Sequence, residues 1–301
     1  MQKKHAEKPV IAIKPADLVT VTKMNHITEI QYMEKMNRKP AIKKLSEAEY
    51  AVLETGEVKP FKHTKNRSEG LQGLYRTFKT LRYLINNNFT GAPNELFITL
   101  TFAKNADGWR PSVNDTEYLA KKYKAFLQRL KRKYGKVEFI RVLEPHADGH
   151  AHFHALLRFD DYDKIFIANE DLNKMWGQGF VRVNSLKNVD NVGAYVSAYL
   201  ADLDLPSQAE EVFKKLGRED ELTDKKGKKF IKGGRMRFYP TGVQIYNKSK
   251  AIKMPERTVM KYQEAQKKAG SGKPTYEKEI LIDSDEFSNK LKFEYYNSKR
   301  V

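Results

Sequence analysis

No cysteine occurs among the 301 residues, which excludes disulfides, thiolate-held zinc, iron–sulfur clusters and a thiol nucleophile. Any metal must therefore be held by histidine, carboxylate or amide groups. No uninterrupted apolar run approaches the roughly 20 residues that a membrane helix needs. The short apolar patch Val10–Ile13 is broken by Lys14, which predicts neither a secretory leader nor a membrane anchor, and so a cytoplasmic location. Acidic residues are in deficit: 38 Asp and Glu stand against 56 Lys and Arg, a formal net charge of +18. Such an excess points to a polyanionic partner, most commonly nucleic acid, because neutralising phosphates releases counterions whatever the base sequence.

At 40% hydrophobic residues the chain can bury a core. Residues 1–66 are polar and basic with only short apolar runs, and read as an arm or accessory element. Periodicity firms up from Ser68, a plausible N-cap. Leu71, Leu74, Tyr75, Phe78, Leu81, Leu84 and Ile85 recur at helical spacing up to Asn86-Asn87-Asn88. ELFITLTF (Glu95 to Phe102) reads as a buried strand and Asn114 to Tyr134 as a helix with one apolar and one basic face. Val137–Glu144 and His150–Phe159 predict a hairpin, followed by a helix at Glu170–Trp176, a strand at Phe180–Val183, a helix at Val189–Leu203 and a strand at Gly242–Tyr246. This order predicts an α+β fold, a ferredoxin-like split βαβ with a central antiparallel sheet. A basic loop is expected at about 206–238, and 256–301 reads as a charged tail.

Four of the seven histidines stand in EPHADGHAHFH, which begins at Glu144. On a strand, alternate side chains share a face, so His150, His152 and His154 point one way, and a hairpin partner such as Glu144 sets a carboxylate beside them. Two imidazoles and a carboxylate can grip a divalent ion with positions left open. The plainer reading is a histidine-rich strand face without an ion. Farther on, Tyr195 and Tyr199 in NVGAYVSAYL lie one helical turn apart. Both phenols can serve one site as nucleophiles, or they can form a packed aromatic stripe.

ELFITLTF, GHAHFHALLRF and YVSAYL, in that order, resemble the three motifs of the HUH (His-hydrophobic-His) endonuclease superfamily. The chain is most similar to the two-tyrosine rolling-circle replication initiators (Rep proteins) of small bacterial plasmids and single-stranded DNA phages. The resemblance spans about Arg67 to Pro255, so that 67–255 is expected to be one nuclease domain. It implies His152 and His154 as metal ligands around Phe153, Glu144 as third ligand, Tyr195 and Tyr199 as nucleophiles, and Mn²⁺ or Mg²⁺ as the ion. It also implies nicking of single-stranded or cruciform origin DNA through a 5′-phosphotyrosine, with rejoining at termination. His150 has no ligand counterpart. Where such initiators commonly carry a lysine between the tyrosines this chain has Ala198, for which Lys187, Lys248 or Lys250 can substitute. Lys225, Lys226, Lys228, Lys229, Arg235, Arg237 and Lys248 are the expected DNA contacts, and Trp109, Trp176 and Tyr239 are candidate stacking platforms. The Gly-Ser-Gly-Lys of 270–273 is no phosphate loop, since Lys267 and Pro274 break the required pattern. Unwinding is accordingly expected from a host helicase and its replication machinery. A related relaxase or transposase, or a non-catalytic nucleic-acid-binding module, are the alternative readings.

Overall fold

The computed structural model describes residues 11–36, 41–61, 71–146, 150–184, 186–187, 189–201, 203–204, 222–225, 228–231, 239, 242–270, 272–283 and 288–300. Two compact units divide the chain, residues 1–63 with 255–301 and residues 64–254. The first unit begins with the hairpin β1 (Leu18–Met24) and β2 (Ile27–Met33), then a small meander of β3 (Ile42–Lys44), β4 (Glu49–Val52) and β5 (Val58–Pro60). The second unit runs α1 (Leu71–Asn88), β6 (Glu95–Thr101), α2 (Thr116–Tyr134), β7 (Val137–Pro145), β8 (Ala151–Phe159), α3 (Asn169–Trp176), β9 (Val181–Asn184) and α4 (Val192–Ala201). It continues through the short strands β10 (Leu203–Asp204), β11 (Leu222–Lys225), β12 (Lys228–Ile231) and β13 (Tyr246–Lys248). Strand β14 (Arg257–Lys261), α5 (Tyr262–Ala269), β15 (Tyr276–Asp283) and β16 (Ser288–Asn297) return to the first unit.

The second unit is the expected α+β arrangement: a five-stranded antiparallel sheet in the order β13-β7-β8-β6-β9. Each face is covered because each carries its own apolar set. Leu119, Tyr123, Phe126 and Leu130, spaced three and four apart on α2, pack with Trp176 of α3 on Phe153, Ala155 and Leu157 of β8. Phe78, Leu81, Leu84 and Ile85 of α1 pack with Val192 and Val196 of α4 on the other face, against Phe97, Ile140, Val142 and Leu156. Tyr75, expected on the packed stripe of α1, is exposed instead. Helix α2 stops at Gly135, whose φ of 72° suits a residue without a side chain.

Two expectations shift. The closing strand pairs through Tyr246↔Val142 to Lys248↔Ile140 rather than over 242–246, with only the Ile245 carbonyl, just ahead of it, accepting from the Leu143 N–H. In the basic segment Lys225 pairs with Lys228 and Asp224 with Lys229 across a β11–β12 hairpin, so this part is strand rather than loop. Lys226, Arg235, Arg237 and the N-cap position Ser68 lie outside the described residues.

The residues read as an arm and a tail share one sheet, in the order β14-β1-β2-β16-β15. Strands β2 and β16 pair from Met33↔Leu291 to Ile27↔Asn297. Helix α5 covers one face, setting Ala265 against Val19, Val21, Ile30 and Tyr296. On that face Glu294, only 2% exposed, accepts hydrogen bonds from Tyr262 Oη at 2.9 and 3.0 Å and from Tyr296 Oη at 2.9 Å. Lys292 Nζ reaches Glu277 at 3.4 Å, Glu279 at 3.6 Å and Glu294 at 3.7 Å. Burial, then the hydrogen bond and charge of Glu294, push both phenols above the ordinary tyrosine range.

Removing this acceptor strands two buried hydroxyls. Glu294→Ala should cost about 2–3 kcal/mol, the scale of a buried hydrogen bond to a charged group, measured by urea unfolding with circular dichroism. An unfolded tyrosine ionises near pH ~10, whereas the folded phenols keep their protons, so stability falls as pH rises above about 10. The urea midpoint should drop between pH about 9 and about 11, and drop less in the Tyr262→Phe/Tyr296→Phe double variant.

Candidate functional site

Residues directly opposite on antiparallel strands share a face. The pairs Glu144↔His152 and Val142↔His154 therefore set Glu144, His152 and His154 together on the α1/α4 side of the sheet. All three are buried, with exposures of 1%, 6% and 2% in that order. Glu144 Oε2 lies 2.5 Å from His152 Nε2 and contacts His154 Nε2 as well, while the two imidazole nitrogens are 3.1 Å apart. Burial opposes ionisation of Glu144, yet hydrogen bonds and charge from His152 and His154 together outweigh it and hold the carboxyl well below the usual carboxylate range.

Three lone-pair-bearing atoms pointed at one spot repel one another unless a proton or a cation sits among them. This donor set fits a divalent ion and could bind one. With its Nε2 lone pair turned inward, His154 carries its proton on Nδ1 and donates it to Thr99 Oγ1 at 3.1 Å, the outer bond that orients a ligating imidazole. Thr99 comes from β6, directly opposite His154. The His154 ring also stacks on Phe97 at 5.6 Å, and His146 packs edge-on against His152 at 4.5 Å. His150, before the strand, forms an isolated bridge with Ser112 and is not in the cluster.

Tyr195 stands on the same face. Its ring meets Phe97 edge-on at 6.0 Å, so Phe97 touches both His154 and Tyr195, and the phenol is 37% exposed. Two bonds start its helix: Asn191 Oδ1 accepts from Ala194 N at 2.9 Å, and Asn86 Oδ1 on α1 accepts from Gly193 N at 2.7 Å. A Cβ on Gly193 would fall 2.5 Å from Asn86 Oδ1 and 2.9 Å from Arg82 Cγ, so α4 approaches α1 closely because this residue has no side chain. Tyr199 lies one turn farther along α4, and its side chain is outside the described residues.

The remaining predicted residues disperse. Trp176 is fully buried with Nε1 on the Thr101 carbonyl at 2.7 Å, and Tyr239 is buried against Phe78, so both are core rather than stacking platforms. Trp109 is 46% exposed. Lys248 Nζ donates to the Ile252 carbonyl at 2.7 Å, while Lys187 and Lys250 are exposed. Sequence reasoning passed over Thr99, Phe97, Asn86, Gly193 and His146. Only Thr99 and Phe97 carried a signal, by alternating within ELFITLTF.

Removing the outer hydrogen bond with Thr99→Val should weaken Mn²⁺ binding about 10–100-fold, read by calorimetry. Gly193→Ala, normally favourable in a helix by up to about 1 kcal/mol, should instead destabilise by about 1–3 kcal/mol through overpacking, read as a lower urea midpoint.

Residues 95–204 match a family model, that of the Replication-associated protein ORF2 family. No curated protein and no solved structure matches the chain. The matched segment runs from β6 through β10 and contains Glu144, His152, His154, Tyr195 and Tyr199, and it supports a Rep-like, replication-associated protein.

Proposed function

We propose that this chain is a replication initiator that nicks single-stranded or melted origin DNA with Tyr195 and rejoins strands at termination. The observation that carries this reading is the buried Glu144–His152–His154 cluster on one sheet face with the exposed phenol of Tyr195, Phe97 touching both histidine and tyrosine. A divalent ion, Mn²⁺ or Mg²⁺, held by those three side chains would polarise the scissile phosphate and offset charge developing on it.

The chain's own residues do the rest. Thr99 fixes the His154 tautomer, and the N-terminal bonds of α4 hold Tyr195 at the mouth of the cluster. A free phenol ionises near pH ~10 and is a weak nucleophile until it gives up its proton. Tyr195 Oη attacks phosphorus, the bond from phosphorus to O3′ breaks, and the departing O3′ takes up a proton. The products are a 5′-phosphotyrosine and a free 3′-OH that primes synthesis. Phosphate ester is exchanged for phosphate ester, so rejoining needs no nucleotide. Tyr199, one turn away, serves a second transfer. The hairpin lysines Lys225, Lys228 and Lys229, together with Lys226, Arg235, Arg237 and Lys248, neutralise the strand's backbone, and a host helicase supplies unwinding.

A randomised, labelled single-stranded DNA pool incubated with the protein and Mn²⁺ should yield a labelled protein band that resists denaturing electrophoresis. The band should vanish on chelation and in Tyr195→Phe/Tyr199→Phe, and fall at least about 100-fold in His154→Ala. Tight DNA binding without an adduct under any cation would replace this reading with a binding module.

A further inference from the structure

The sheet face opposite the histidine cluster holds a cavity of about 370 Å³ between α2 and strands β7, β8 and β13, a volume within the range of small-molecule sites, about 300–1,000 Å³. Arg141 on β7 points into it, being one position out of phase with Val142 and Glu144 on the other face. Its guanidinium lies between two rings, 5.0 Å from Tyr123 and 4.7 Å from Phe153. Arginine Nε is buried without a hydrogen-bond partner, and so is the hydroxyl of Tyr123, a residue only 3% exposed.

No aspartate or glutamate lines the cavity among the described residues. A guanidinium drawn this far from water is normally paired with a carboxylate; here the ring faces alone offset its charge. Burial pulls its proton affinity below the ordinary arginine value, which is the mark of a cation short of an anion. Lys124 adds a second positive charge, Gln244 and Asn247 add amides, and Ala120 lies in an apolar wall.

We propose that this cavity binds a nucleoside 5′-phosphate, with the phosphate on the Arg141 fork and Lys124 and the flat base on the apolar wall. A planar fork of N–H donors suits a two-oxygen acceptor, and two cations suit the doubly charged phosphate monoester rather than a carboxylate. The same chemistry is presented by a free nucleotide and by the phosphorylated 5′ end of a DNA strand. The site is independent of tyrosine chemistry, so a failed nicking assay leaves it standing.

The full chain, in EDTA, is titrated calorimetrically with deoxyadenosine 5′-monophosphate and with a five-nucleotide DNA carrying either a 5′-phosphate or a 5′-hydroxyl. Binding of a phosphorylated probe should weaken at least tenfold in Arg141→Met. Ala120→Phe, filling the cavity from an exposed helix position, should do the same with the melting temperature unchanged, which answers for any folding defect in the first variant. A phosphorylated strand bound tenfold tighter than the mononucleotide and than its hydroxyl counterpart assigns DNA ends; equal affinities for strand and mononucleotide assign the free nucleotide. The proposal is overturned if neither phosphorylated probe binds, if both variants bind like the parent, or if binding disappears in His152→Ala/His154→Ala, which would place the anion at the histidine cluster.

Discussion

The register of β8 between its two neighbours is the constraint on which everything else rests. Glu144↔His152 on one side and Thr99↔His154 on the other bring a carboxylate, two imidazoles and an orienting hydroxyl to one spot. Because side chains alternate, a slip of one residue would send all of them to the opposite face. What resists the slip is Phe153. It is fully buried among Phe102, Tyr123 and Trp176, and emptying such a site costs about 3–5 kcal/mol. The residue between the histidines is apolar and large because its burial is what holds the histidines in place.

The tyrosine is held by a different device. Helix α4 is short and apolar around its whole circumference, so amphipathic packing alone gives it little rotational preference. The missing side chain at Gly193 and the acceptor at Asn86 supply one. Tyr195 is thereby aimed by a contact with α1, an element that contributes no residue to the cluster itself.

Features with local periods were readable from sequence. The His-x-His alternation, the hairpin length that puts Glu144 beside it, the four-residue tyrosine spacing and the apolar stripe of α2 each depend on residues a few positions apart. Features set by distant partners were not. Asn86 and Gly193 stand 107 positions apart, and neither is unusual in its own window. The closing strand begins later than its β-branched residues suggest, because the β7 edge decides where pairing starts. Trp176 and Tyr239 looked available for stacking, since a sequence does not distinguish a buried ring from an exposed one. The ends of the chain looked unstructured for the same reason: β2 alternates acceptably, but its partner β16 lies at the far end of the sequence.

That last pairing orders events as the chain emerges from the ribosome. Strands β1 and β2 are made first and can form only a hairpin, which is marginal by itself. Their sheet waits for β14, β15 and β16, which follow the whole of residues 64–254. The unit carrying the histidines and Tyr195 is complete before the first unit can close, so during synthesis the earliest-made residues are among the last to find their partners. Closure of the first unit is therefore a signal that the intervening unit has been made in full.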